Sequence, residues 1–182
     1  MQHEIKDEVL TVKDCSENFE TIYKKEYFPK KLLDEIKEAN VLLIPDSIKR
    51  GSENVYVFPE STSEFFEYLK ENVSDNLRPD IAIDDEDFKK IEMHSASITI
   101  VTFVVKEFVF PIMLGLVSNF LYDAAKKMHR DRKDVSAKVN IIVTDDTGKK
   151  SKIISYEGPV SGIENALNLA AKDIFKNDSR GN

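Results

Sequence analysis

Five carboxylates fall within eight positions, Asp80, Asp84, Asp85, Glu86 and Asp87, and no other stretch of this 182-residue chain concentrates so much potential chemistry. Hard divalent cations such as Mg²⁺ take oxygen ligands, and carboxylates at a strand end can supply them. Asp80, Asp84 and Asp87 are the candidate metal ligands. An acid-rich turn is equally what a helix start favours, because negative charge complements the positive end of the helix. That second reading is the expectation: the cluster is structural and no metal site is expected.

The letters of this stretch resemble the PD-(D/E)xK nuclease signature, with Pro79-Asp80 as one half and Asp87-Phe88-Lys89 as the other. The resemblance implies metal binding by Asp80 and Asp87, with Lys89 positioning the attacking water. That family sets its two half-motifs on successive strands with a longer separation. Here Asp87 follows Asp80 too closely for that arrangement, and it lies in an acidic turn.

Other chemistries have less support. His3, His94 and His129 are the only imidazoles, and no G-x-S-x-G elbow accompanies them. Cys15, the single cysteine, excludes an internal disulfide and any multi-cysteine zinc site, and its charged surroundings are those of an ordinary thiol. Helix starts at Ser61 and Ser161 offer N–H groups to an anion. Acids crowd both, Glu60 and Glu64 at the first, Glu157 and Glu164 at the second, and no glycine-rich phosphate loop is present. No cofactor is expected. The basic run Lys126, Lys127, His129, Arg130, Arg132 and Lys133 can meet phosphate or anionic lipid, but Asp123, Asp131 and Asp134 dilute it and no aromatics interleave. Cations also favour a helix C-terminus, which gives the run a purely structural role.

The elements that must position these residues follow from periodicity. The first forty residues read as helical, with Phe28, Leu32, Leu33, Ile36 and Ala39 on one face and Pro29 in a first turn. Val41 to Ile44, Val55 to Phe58 and Asp80 to Asp84 read as short strands. Ser61 with Glu64, and Ser161 with Glu164, have the capping-box spacing that starts a helix. The first of these helices should bury Phe65, Phe66, Leu69 and Val73. Lys138–Thr144 and Ser151–Tyr156 alternate as strands around Asp145-Asp146-Thr147-Gly148, a hairpin signal. Val160, Ile163, Leu167, Ala170, Ala171, Ile174 and Phe175 then keep helical period. The expected fold is α/β (mixed α+β): a helical extension over 1–28, a single domain over 29–176 and a disordered tail over 177–182. Its mixed sheet has about five short strands, including the C-terminal β-hairpin, flanked by helices, one of them central and very apolar.

That central element comes from the run Ile98 to Tyr122, broken by charge only at Lys106 and Glu107. Neither arm reaches the roughly 20 residues that a membrane-crossing helix needs. Joining them would bury two charges in lipid at about 2.5 to 3.5 kcal/mol each. The first arm, Ile98 to Val105, is β-branched and reads as strand or buried helix. The second, Phe108 to Tyr122, reads as a helix with a stripe continuing through Phe120, Leu121 and Met128. Pro111 sits in its first turn if the helix starts near Phe110, or kinks a longer one. A net charge of −7 repels nucleic acid. A first segment without an apolar signal region and a lone cysteine point to the cytoplasm. Abundant Lys, Glu, Ile and Asn point to a microbial source. The resulting expectation is a non-catalytic binding or regulatory subunit of a microbial assembly, acting on a protein partner or as a homo-oligomer through Phe120, Leu121 and Met128. The alternatives are a metal-dependent hydrolase or nuclease using Asp80–Asp87, and a membrane-associated protein anchored by Ile98–Tyr122.

Overall fold

A computed structural model describes residues 8–91, 97–128 and 135–176. The chain is a single-domain mixed α+β fold. In order, its elements are β1 (Val9–Cys15), α1 (Phe19–Tyr23), α2 (Leu33–Ile36), β2 (Val41–Leu43), β3 (Asp46–Arg50), β4 (Glu53–Pro59) and α3 (Thr62–Glu71). There follow β5 (Pro79–Ile81), β6 (Lys90–Ile91), β7 (Ser97–Thr99), β8 (Phe103–Lys106), α4 (Phe110–Lys127), β9 (Ser136–Thr144), β10 (Ser151–Pro159) and α5 (Ile163–Lys176). A seven-stranded sheet runs β1-β10-β9-β8-β2-β5, with β7 also paired to β9, and β3-β4-β6 forms a separate small sheet.

The apolar run is a strand arm followed by a helix arm. β7 and β8 pair in parallel with two stretches of β9, and β8 also pairs antiparallel with β2. Lys106 and Glu107 fall at the turn between strand and helix. There the Lys106 N–H donates to Asn40 O (3.1 Å) and the Glu107 N–H to Thr144 O (2.9 Å). Among the described residues, no helix is long and apolar enough to cross a membrane.

Both faces of the sheet centre are covered, which explains why β2 and β8 are apolar throughout rather than alternating. Val41, Leu43, Phe103 and Val105 face the core under α3, α4 and α5. Leu42, Val104 and Ile142 face a second core with Phe19, Ile22, Phe28 and Ile36 of the α1–α2 layer. Asn40 locks the edge of this centre. It is 1% exposed, its side-chain amide donates to Asn76 O (3.0 Å), and its side-chain oxygen accepts from the Arg78 N–H (2.8 Å).

The β9–β10 hairpin forms where the sequence places it, in register from Ser136↔Pro159 to Thr144↔Ser151. Gly148 takes φ 69°, a left-handed conformation that a β-carbon would strain. Asp145 organises the turn: burial works to raise its carboxyl, but donation from the Thr147 hydroxyl and the Lys149 and Lys150 N–H groups outweighs that and lowers it.

Several expectations need correction. Residues 9–15 of the supposed helical extension form β1, which pairs antiparallel with β10 from Val9↔Glu157 to Cys15↔Ser151. Residues 1–7, the tail over 177–182 and most of the basic run lie outside the described residues. Between the strands expected at Val41 to Ile44 and Val55 to Phe58 lies a further one, β3, which forms a hairpin with β4. Neither expected capping box forms. Ser61 has helical backbone angles and donates its hydroxyl to Thr99 O (2.9 Å), a partner across the fold. Ser161 lies inside a 3-10 turn, Val160–Gly162, while Glu164 accepts from the Tyr122 hydroxyl (3.3 Å). A reciprocal box occurs instead at Asn18 and Thr21, opening α1. Val73 is 53% exposed rather than buried.

The apolar helix is not buried all round: α4 packs on one face of the sheet between α3 and α5, with Phe108 just before it 56% exposed and Ile112 39% exposed. Its inner side carries Phe110, Met113, Val117 and Leu121, all fully buried. Leu121 therefore belongs to the core and cannot contact a partner. Leu121→Ala should cost about 2–5 kcal/mol of stability by urea denaturation. Phe108→Ala should stay within about 0.5 kcal/mol of wild type. Equal losses at the two positions would refute this orientation of α4.

Candidate functional site

The helices over the sheet leave a groove between α3 and α4. Its floor is aromatic: Phe120 stands edge-on to Phe65 at 5.1 Å and tilted against Tyr68 at 5.7 Å. Phe65 is fully buried and fixes α3 to the sheet, while Phe120 keeps 8% exposure at the bottom of the groove. The α3 wall carries Glu64, Glu67 and Glu71, and the α4 wall Asp123, Ala124 and Lys127, around a volume of about 400 Å³. A second hollow of about 360 Å³ continues past Glu64, Phe120 and Lys127 to Glu60, Ile98 and Met128. Together they make one channel along the helix pair. The hydroxyl bond from Ser61 to Thr99 O pins the start of α3 and so sets the width of this far end.

Acids outnumber cations in the channel, where Lys127 is the only basic residue of the lining described. Glu60, Glu64, Glu67 and Glu71 recur at helical spacing on one wall, with Asp123 opposite. Of these acids only Glu67 has a salt-bridge partner among the described residues, Lys70 at 2.6 Å. Burial raises the Tyr68 hydroxyl pKa and Asp123 raises it further, against a hydrogen bond with Asn119 that lowers it.

The candidate metal cluster is dispersed. Asp80 sits on β5 of the large sheet, in register with Leu42. Asp85, Glu86 and Asp87 form a 3-10 turn, and Lys89 precedes β6 of the small sheet. The half-motifs thus lie on a strand and a turn, not on successive strands of one sheet. Asp84 is bonded to Lys31 at 2.7 Å, a contact that lowers its pKa. Asp80 moves the other way, raised by burial despite donation from the Ile81 N–H. Carboxylates sharing a cation would converge, whereas these are engaged separately. Among the described residues, no group of three or more His, Cys, Asp and Glu side chains can hold a metal ion.

Other sequence candidates divide similarly. Phe120 and Met128 line the channel, but Leu121 is interior. Lys126 and Lys127 end α4, which is the structural role open to them. His3, His94 and His129 lie outside the described residues. Cys15 is a free, half-buried thiol at the end of β1.

Periodicity gives no sign of a further cavity of about 520 Å³ at the end of the sheet, below the β9–β10 turn. Its wall balances Asp14, Glu107 and Asp145 against Lys149, Lys150 and Lys152. Thr144 and Ser151, paired across β9 and β10, also line this cavity, and their buried hydroxyls have no hydrogen-bond partner among the described residues. Comparison with protein-family models, curated proteins and solved structures finds no match, so the α3–α4 channel must be interpreted from its own geometry.

Two outcomes test these assignments. With Asp80 raised in the folded chain, its charged form opposes folding at neutral pH, and the penalty fades as pH falls through its pKa. Asp80→Asn should therefore melt higher than wild type at neutral pH, converge with it in acid, and leave both insensitive to Mg²⁺. A Mg²⁺-dependent rise in wild-type melting temperature, lost in Asp80→Asn, would restore the metal site. Thr144→Val removes an unpartnered hydroxyl at nearly constant volume and should raise stability by about 1 kcal/mol in urea titration. A loss of stability would mean that the hydroxyl has a partner.

Proposed function

We propose that this chain is a non-catalytic binding or regulatory subunit acting through protein–protein contacts, and that a basic segment of its partner docks in the α3–α4 channel. The observation that carries this reading is the combination of an aromatic floor, Phe120 and Tyr68, with a wall of acids that neighbouring cations leave largely uncompensated. A helix-sized segment with one apolar anchor and flanking Lys or Arg complements both features. The apolar contact supplies affinity, and the charge supplies encounter rate and discrimination. A reducing, cytoplasmic setting belongs to the same reading and is consistent with the free thiol of Cys15.

The test is the fluorescence anisotropy of a labelled Lys/Arg-rich amphipathic peptide with a single leucine anchor, followed across ionic strength. Binding should weaken as salt rises, because screening shortens to about 10 Å at 0.1 M. Glu64→Lys with Glu71→Lys should weaken it by about tenfold or more, equivalent to 1.4 kcal/mol. Ala124→Arg should block the channel. Glu35→Lys with Glu38→Lys, an equal charge change at and beside α2, should have little effect. Equal losses from both charge reversals would reduce the binding to net charge and overturn the docking site.

A further inference from the structure

We infer that two copies of this chain join edge to edge through β1, continuing the seven-stranded sheet across a twofold axis. This surface is separate from the α3–α4 channel, and the two proposals succeed or fail independently.

Among the described residues, β10 is the only strand paired with β1. The other side of β1 is therefore, among the described residues, an open row of backbone N–H and C=O groups. Natural sheets blunt such edges with proline, a bulge, a very short strand or charged side chains, lysine above all. β1 is seven residues long, contains no proline and stays in unbroken register with β10, with charge only at Lys13 and Asp14 near one end. Val9 is 54% exposed at this edge, and Leu10 and Val12 are half-buried against the core.

The helix above the edge supplies a second, independent observation. α5 runs alongside β1 in the same direction. A β-carbon on Gly162 would stand 2.6 Å from the Glu8 carboxylate, and Ile174 shares a cavity wall with Asp14 and Cys15. The middle of α5 is consequently level with the middle of β1. The Tyr122–Glu164 bond marks the flank of α5 that faces α4. Counting around the helix from Glu164 through the buried Leu167, Leu169 falls on the opposite flank, overhanging the open edge. It is 58% exposed, more than any other large apolar residue described.

A second copy of the same chain fits both features together. A twofold axis perpendicular to the sheet runs β1 antiparallel to its copy and brings the two α5 helices side by side on one face. With Thr11 on the axis, Leu10 lies opposite the second copy's Val12, and the two Leu169 side chains close over these pairs. Val9 lies opposite the alkyl stem of the second copy's Lys13. Placing Val12 on the axis would instead set Leu10 against Asp14, whereas the Thr11 register pairs the apolar residues with each other. It also sets Glu8 opposite the second copy's Asp14 at each end, a repulsion that added salt screens.

Light scattering on the full chain should give twice the 20.8 kDa chain mass. Leu169→Asp should weaken association by at least about tenfold, with circular dichroism unchanged, because the new charge is desolvated only in the dimer. Phe108→Asp, on another exposed apolar site, should leave the dimer intact. In a Cys15→Ser background, Thr11→Cys should form an intermolecular disulfide on oxidation, since residues facing each other across the axis approach within bonding range. A monomeric wild-type chain throughout a concentration series would overturn the proposal. So would a dimer indifferent to Leu169→Asp that also fails to cross-link through Thr11→Cys.

Discussion

The double-sided burial of β8 is the constraint on which the rest of the molecule depends. Phe103 and Val105 point under the α3–α5 layer while Val104 points into the α1–α2 layer, and all three are fully buried. Covering the second face requires α1 and α2, of five and four residues, which are too short to persist alone. They exist because Phe19, Ile22, Phe28 and Ile36 close over Leu42, Val104 and Ile142. Charge enters only where cover ends, and even there Lys106 holds its ammonium 5.7 Å from the centre of the Phe19 ring. From that point α4 must turn back across the sheet, and its anchoring by Phe110, Met113 and Val117 fixes the wall of the channel.

The acids of this chain differ in how far their charge is compensated, and the difference separates scaffold from candidate site. Asp84 is held by Lys31, and Asp145 is saturated by donors from its own turn. Both carboxyls are lowered, as expected of groups whose charge is part of the structure. The acids of the α3–α4 channel gather beside an aromatic floor without comparable compensation, Glu67 excepted. Density of carboxylates in sequence was thus a poor guide to where their charge is left available.

Local signals were legible wherever local chemistry decides the outcome. The Asp145–Gly148 turn, the period of α5 and the break at Lys106-Glu107 follow from neighbours only a few residues apart, and each appears where expected. Signals that depend on distant partners were not legible. Ser61 has capping-box spacing, but its hydroxyl finds a better-placed acceptor in Thr99 O. Val9–Cys15 mixes apolar and charged positions without clean alternation, because one side of an edge strand need not be covered. Leu121 looked peripheral because periodicity locates the centre of a buried stripe and not its width. With α3 on one flank and α5 on the other, α4 buries a broader arc than its sequence suggests. The spacing of Glu60, Glu64, Glu67 and Glu71 was visible throughout; that Phe120 and Asp123 would stand opposite them required the fold.

The partnership of β1 with β10 also sets the order of assembly. Val9 pairs with Glu157 and Cys15 with Ser151, so β1 leaves the ribosome well before its partner strand has been made. Until then Leu10 and Val12 have neither a ladder to join nor α5 to cover them. Contacts of such long sequence separation slow folding, since the loop must close before the pairing can stabilise it. The interval is also one in which an apolar strand is open to other nascent chains. Synthesis of this protein is therefore a period of dependence on whatever shields that segment, since in the folded chain at least one edge of β1 is paired with β10 and Leu10 and Val12 pack against the core.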